Sequence, residues 1–188
     1  SISASEITNN QATGYQSKGG GISLCNTTAA LISNNRIQAN NSDLGAGIYL
    51  QSNQNLRLDR NRISNNLADF SGGGLFVNTT SGLFTNNLIA NNTAAQRGGG
   101  LYCYSALQVY NNTIANNKAG LEGGGIYLNS AAPRLVNNIL WGNVRSNPEI
   151  PNQFYLYAET SDPVISYCDI QGGSTGITHS PGTMYNGN

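Results

Sequence analysis

"NNLIANNTAAQRGGGLYCYS" at residues 86–105 returns, little altered, as "NNTIANNKAGLEGGGIYLNS" at residues 111–130. Two Asn pairs, a Gly triplet and the apolar positions between them keep their offsets. Aligned on the last Gly of each cluster, the unit recurs at Gly21, Gly47, Gly74, Gly100 and Gly125, in steps of 26, 27, 26 and 25 residues. After each Gly comes apolar–any–apolar: Ile22 and Leu24, Ile48 and Leu50, Leu75 and Val77, Leu101 and Cys103, Ile126 and Leu128. That is the two-residue period of a strand with one buried face.

A second block completes each unit: apolar, two residues, Asn, one residue, apolar, two residues, Asn. It reads "ISNNRIQAN" from Ile32, "LDRNRISNN" from Leu58, "FTNNLIANN" from Phe84, "VYNNTIANN" from Val109 and "LVNNILWGN" from Leu135, with "ISASEITNN" from Ile2 as a variant carrying Ser5 at the first Asn. One Asn column is therefore Asn35, Asn61, Asn87, Asn112 and Asn138. The other is Asn10, Asn40, Asn66, Asn92, Asn117 and Asn143. Helical repeats run to about 33 residues or more and show a 3.6-residue period. A coil of three short strands and three turns needs roughly 22–27 residues, and coils stack ~4.8 Å apart. The pattern predicts an all-β fold: a right-handed, single-stranded parallel β-helix of six to seven coils, 25–27 residues each, over residues 1–172. Residues 173–188 read as a loop-rich tail or the start of a further segment. Asn tolerates left-handed backbone at corners, and its stacked amides can bond along the axis. Gly serves corners that a Cβ would obstruct.

Composition narrows the function classes. Nine Lys and Arg balance nine Asp and Glu, so the net charge is zero. A nucleic-acid binder would need a basic stripe to meet the phosphates. Disorder is disfavoured by the low charge. No apolar run approaches the ~20 residues that span a bilayer.

Two families are similar in parts of this chain. "GGGLF" (72–76) with "FTNN" (84–87) resembles the paired motifs of polymorphic outer-membrane protein repeats, which are surface-exposed β-helices. "VNNILWGN" (136–143) followed by "QFYLYAETSDPVISYCDIQGG" (153–173) resembles the final coils of bacterial and archaeal choice-of-anchor Q β-helix proteins. The second resemblance implies secretion and attachment to the cell surface, hence an extracellular location.

Tyr49, Phe76, Tyr102 and Tyr127 each lie two residues past the anchoring Gly, between two inward positions. They are expected to point outward, about one coil apart. Exposed rings would form a platform for sugar faces or a protein contact, whereas ring-on-ring stacking would stiffen the solenoid. The densest charge cluster is Arg57, Asp59, Arg60 and Arg62, with Arg36 one coil earlier. A polysaccharide lyase or epimerase needs a base, a cation to neutralise the uronate, and an acid for the leaving group. Arg60 or Arg62 is the candidate base or clamp, and Asp59, Asp43 and Asp69 the candidate calcium ligands. These acids hold different offsets in their coils, which favours a solvated charged edge and no bound cofactor.

His179, the only histidine, has no carboxylate or cysteine cluster in its neighbourhood to make a metal or triad signal. Cys25, Cys103 and Cys168 read as small core fillers, Cys103 replacing an inward Leu and Cys168 a corner Asn. Five N-x-[ST] sequons, at Asn26, Asn40, Asn78, Asn91 and Asn111, arise naturally from Asn-rich corners followed by Thr or Ser. Ser1 begins mid-coil, and open solenoid ends can pair with another copy. Pro148, Pro151 and Pro163 break the spacing, as a terminal coil would. The reading is a secreted, surface-displayed, non-catalytic structural, adhesive or assembly module. Its expected contacts are self-association through the ends, other surface proteins, or polysaccharide.

Overall fold

The computed structural model describes residues 1–146 and 149–181. The chain winds as a parallel β-solenoid, and a complete coil contributes one short strand to each of four sheets, not three. A representative coil runs through Leu31–Ser33, Arg36–Gln38, Asn41–Leu44 and Ile48–Gln51. These define faces one to four, which hold seven, seven, six and seven strands among the described residues. The fourth side escapes the apolar pattern because the strands of face three turn small residues inward. Ser42, Ala68, Ala94 and Ala119 follow one another in register, and all are buried.

The other three faces supply the core. Ile32, Leu58, Phe84, Val109 and Leu135 stack on face one, and Ile37, Ile63, Ile89, Ile114 and Leu140 on face two. Face four adds two inward columns, one of them Leu50, Val77, Cys103, Leu128 and Leu156. The last Gly of each cluster leaves no room for a side chain. A Cβ on Gly74 would lie 2.6 Å from the Gly100 carbonyl oxygen and 3.0 Å from both Asn92 Nδ2 and Ile89 Cγ2. Only glycine fits there.

Each Asn pair divides two jobs that the sequence suggests for one residue. The first member takes the left-handed corner: φ is 57° at Asn86, 57° at Asn91 and 58° at Asn111. The second is buried, and its amide runs along the axis. Asn61 Nδ2 donates to Asn87 Oδ1 at 3.0 Å and to the Ile32 carbonyl at 2.9 Å, while its own Oδ1 accepts from the Asn35 N–H and Nδ2. The same four bonds recur in the other column at Asn66. Buried amides are thus fully partnered.

The ends of these ladders are specific. Ser5 N–H starts one and Asn10 the other, the latter in solvent at its open end. Cys168 Sγ closes the first by accepting from Asn138 N–H at 3.4 Å. Gln153 closes the second, accepting from Asn143 Nδ2 at 2.7 Å, because the chain doubles back there. Glu149–Pro151 pairs antiparallel with Val144–Ser146. Pro148 lies outside the described residues. Beyond residue 172 a 3-10 turn, Gly173–Gly176, leads to Ile177–His179, which adds a rung to face four beside Phe154–Leu156. His179 is the exposed end of that rung.

Candidate functional site

The predicted aromatic column is real but covered. Tyr49, Phe76, Tyr102 and Tyr127 are register partners on face four, and Tyr155 extends the stack as a fifth ring. Centroid separations are 5.4, 4.8, 4.8 and 5.5 Å, with interplanar angles between 6° and 27°. The rings do point away from the main core, into a cluster of their own. Yet Tyr49, Phe76, Tyr102 and Tyr127 are 1–8% exposed, so the expectation of an open ring platform is corrected. The cause is spacing: rungs ~4.8 Å apart put each ring in contact with the next, hiding every face. A second tier then seals the edges. Tyr104 lies tilted across Phe76 and Tyr102, Lys18 Nζ sits 5.2 Å from the Tyr49 ring centre, and Arg97 sits 5.7 Å from that of Tyr127. Burial raises the Tyr102 and Tyr127 phenols well above the ordinary tyrosine range.

The arginine cluster straddles the corner between faces one and two. Arg57 and Asp59 come from the strand Leu56–Asp59, Arg60 occupies the left-handed corner at φ 54°, and Arg62 opens the next strand beside Arg36. Arg36 Nη1 lies 3.7 Å from Glu6 Oε1. Asp59, the only acid in the cluster, is built into the frame. Its Oδ1 accepts from Thr85 Oγ1 at 2.7 Å and Asn86 Nδ2 at 3.0 Å, and its Oδ2 meets Arg60 Nη1 at 3.1 Å. Burial pushes this carboxyl up, but those hydrogen bonds and the Arg60 and Arg57 charges outweigh it and hold the group below the usual carboxylate range. The three candidate calcium ligands are not gathered: Asp59 is on face one, and Asp43 and Asp69 are on face three. Among the described residues no group of three or more His, Cys, Asp or Glu could hold a metal ion.

The cysteine reading holds for Cys103, which is fully buried, with its thiol pushed up to about 12 by burial. It fails for Cys25, which is exposed at the end of its strand, where the alternation turns its side chain out. Asn40 lies in the buried ladder, so its sequon is closed to modification.

Two surface hollows have lining residues that the repeat pattern conceals. A shallow groove of ≈ 580 Å³ crosses face one between Gln108, Tyr110, Asn111, Arg134, Val136 and Asn137. A cleft of ≈ 330 Å³ lies at the corner between faces three and four, lined by Tyr15, Gln16, Leu44, Phe70, Ser71, Phe76, Gln96, Arg97, Tyr102 and Tyr104. Its rim comes from departures from the repeat. Gln11 pairs with Asn41 and Lys18 with Leu44, so seven steps in the first coil match three in the second, and Tyr15 projects from the excess. Phe70 stands in a bulge, where Ala68 and Ser71 pair with Ser42 and Leu44. The signal available in the sequence was the 30-residue step from Asn10 to Asn40 against 26 from Asn40 to Asn66.

No helix among the described residues is long and apolar enough to cross a membrane. No curated protein and no solved structure matches the chain. The family model for the right-handed β-helix region matches residues 1–122 and 65–188. With the parallel solenoid traced above, the chain belongs to the right-handed β-helix family.

Proposed function

We propose that this β-helix is a secreted, surface-displayed and non-catalytic module with a structural, adhesive or assembly role. The observation that carries the reading is where the repeat spends its residues. Two Asn ladders and one aromatic stack tie successive rungs along the axis. Columns of this kind stiffen a rod and use up side chains that would otherwise serve a ligand. Asp59 follows the same logic, because its carboxylate bonds to the next rung. The resemblance of residues 136–143 and 153–173 to surface-anchored β-helix proteins supports display outside the cell. The test is incubation of the whole chain with pectate, alginate and chondroitin, with and without calcium, following ultraviolet absorbance and uronate composition. The reading expects neither to change. Formation of an unsaturated uronate, or conversion of one uronate to its epimer, would overturn it in favour of a lyase or epimerase.

A further inference from the structure

We propose that the cleft between faces three and four is a saccharide-binding site that takes one pyranose ring of a polysaccharide, which names a partner for the non-catalytic module and rests on that reading. A pyranose has an apolar C–H face that packs against aromatic rings and a rim of hydroxyls that need hydrogen-bond partners. The cleft offers both. Tyr15, Phe70 and Tyr104 supply rings, and Gln16, Gln96 and Arg97 supply amides and a guanidinium. No carboxylate lines it. Glu122, one rung beyond Arg97, is held by Arg145 at 3.1 Å, leaving the Arg97 guanidinium over the Tyr127 ring at the cleft wall.

The buried stack explains why the site sits here. Phe76 and Tyr102 form a rigid floor, closed by their own stacking at 4.8 Å. Tyr104 rises from it as a wall, tilted 47° to Tyr102 and joined to it hydroxyl to hydroxyl at 3.0 Å. Tyr15 and Phe70 come from the first-coil loop and the bulge, the two insertions into the repeat described above. In solenoids, insertions into individual repeats map to one face, often the binding face. An added peptide strand is a poor occupant, since the local backbone is already paired: Gln96 N–H donates to the Phe70 carbonyl at 2.8 Å and Gly98 N–H to the Glu122 carbonyl at 3.1 Å.

The experiment is saturation-transfer NMR on the whole chain with cellohexaose, chitohexaose and hexagalacturonate, followed by titration. Transfer to ring C–H protons is expected. Tyr15→Ala removes a ring that is 87% exposed and therefore leaves the fold intact. It and Tyr104→Ala should each weaken binding roughly tenfold, the loss of one aromatic contact. Tyr110→Ala, in the groove on face one, should leave it unchanged. If Arg97→Gln weakens hexagalacturonate alone, the ring is a uronate; an equal loss for all bound sugars makes it neutral. The site is overturned if none of the three oligosaccharides binds, if both tyrosine variants bind as the native chain does, or if a tyrosine-rich peptide displaces the sugar at lower concentration than sugar itself. Failure to bind removes the cleft and leaves the non-catalytic reading standing. Binding followed by cleavage keeps the cleft and removes that reading.

Discussion

Adjacent, chemically identical residues should differ several-fold in what they contribute to stability. Asn92 is buried and its side chain makes four hydrogen bonds: Oδ1 accepts from Asn66 N–H at 3.1 Å and Asn66 Nδ2 at 2.9 Å, and Nδ2 donates to the Ile63 carbonyl at 2.9 Å and Asn117 Oδ1 at 3.0 Å. Asn92→Ala removes all four and strands two buried donors on Asn66. At roughly 1 kcal/mol net per bond the four bonds are worth about 4 kcal/mol, and the two orphaned donors at roughly 1 kcal/mol each bring the loss to about 6 kcal/mol. Asn91 is exposed and contributes only its left-handed backbone, at φ 57°. Asn91→Ala should cost about 1 kcal/mol, and Asn91→Gly less, because glycine carries no Cβ penalty there. Urea unfolding followed by far-ultraviolet circular dichroism, extrapolated linearly to water, gives both values. If Asn92→Ala and Asn91→Ala fall within about 1 kcal/mol of each other, the ladder is not holding the rungs and the reasoning fails.

Other outcomes follow from the same geometry. Ala39 takes φ 53° where the rungs beyond carry Asn65, Asn91 and Asn116, so Ala39→Asn should raise stability by about 0.5–1 kcal/mol, read from the urea midpoint. Cys168→Asn replaces a weak sulfur acceptor at the end of the first ladder with an amide oxygen and should add about 1 kcal/mol by the same assay. In a thiol-reagent time course on the native chain, exposed Cys25 should react first. Cys103, buried and with its thiol pushed up to about 12, should react only when the chain unfolds. Asp59 has a depressed pKa, so its contribution is present above the unfolded carboxylate value near 4 and fades as pH falls below it. Comparing acid titrations of the native chain and Asp59→Asn should show a shallower loss of stability in the variant.

The solenoid was legible because its cause is periodic. The steps between Gly21, Gly47, Gly74, Gly100 and Gly125 report the coil length directly, and the Asn columns mark corners that must superimpose. Face three stayed hidden because its inward residues are Ser42, Ala68, Ala94 and Ala119, too small to register as an apolar strand. Solvent exposure was misjudged at Tyr102 and its fellows. Alternation gives a side chain's direction, but whether an outward ring meets water depends on its neighbours one rung away and on Tyr104, Lys18 and Arg97 from other strands. Gln153 was missed because it reaches the second ladder through an antiparallel return that breaks the register. Tyr15 and Phe70 were missed for a related reason: repeat alignment discards insertions, and the cleft is made from them.

Hydrogen exchange of the Asn side-chain amides, read by two-dimensional NMR, tests the division of labour between paired asparagines. The buried members, Asn35, Asn61, Asn87, Asn112 and Asn138 in one column and Asn40, Asn66, Asn92, Asn117 and Asn143 in the other, should keep their carboxamide protons until the chain unfolds globally. Their corner partners Asn34, Asn65, Asn91, Asn111, Asn116 and Asn137, all exposed, should exchange at once. A single fast-exchanging population covering both sets would contradict the axial ladders, and with them the account of what holds this solenoid together.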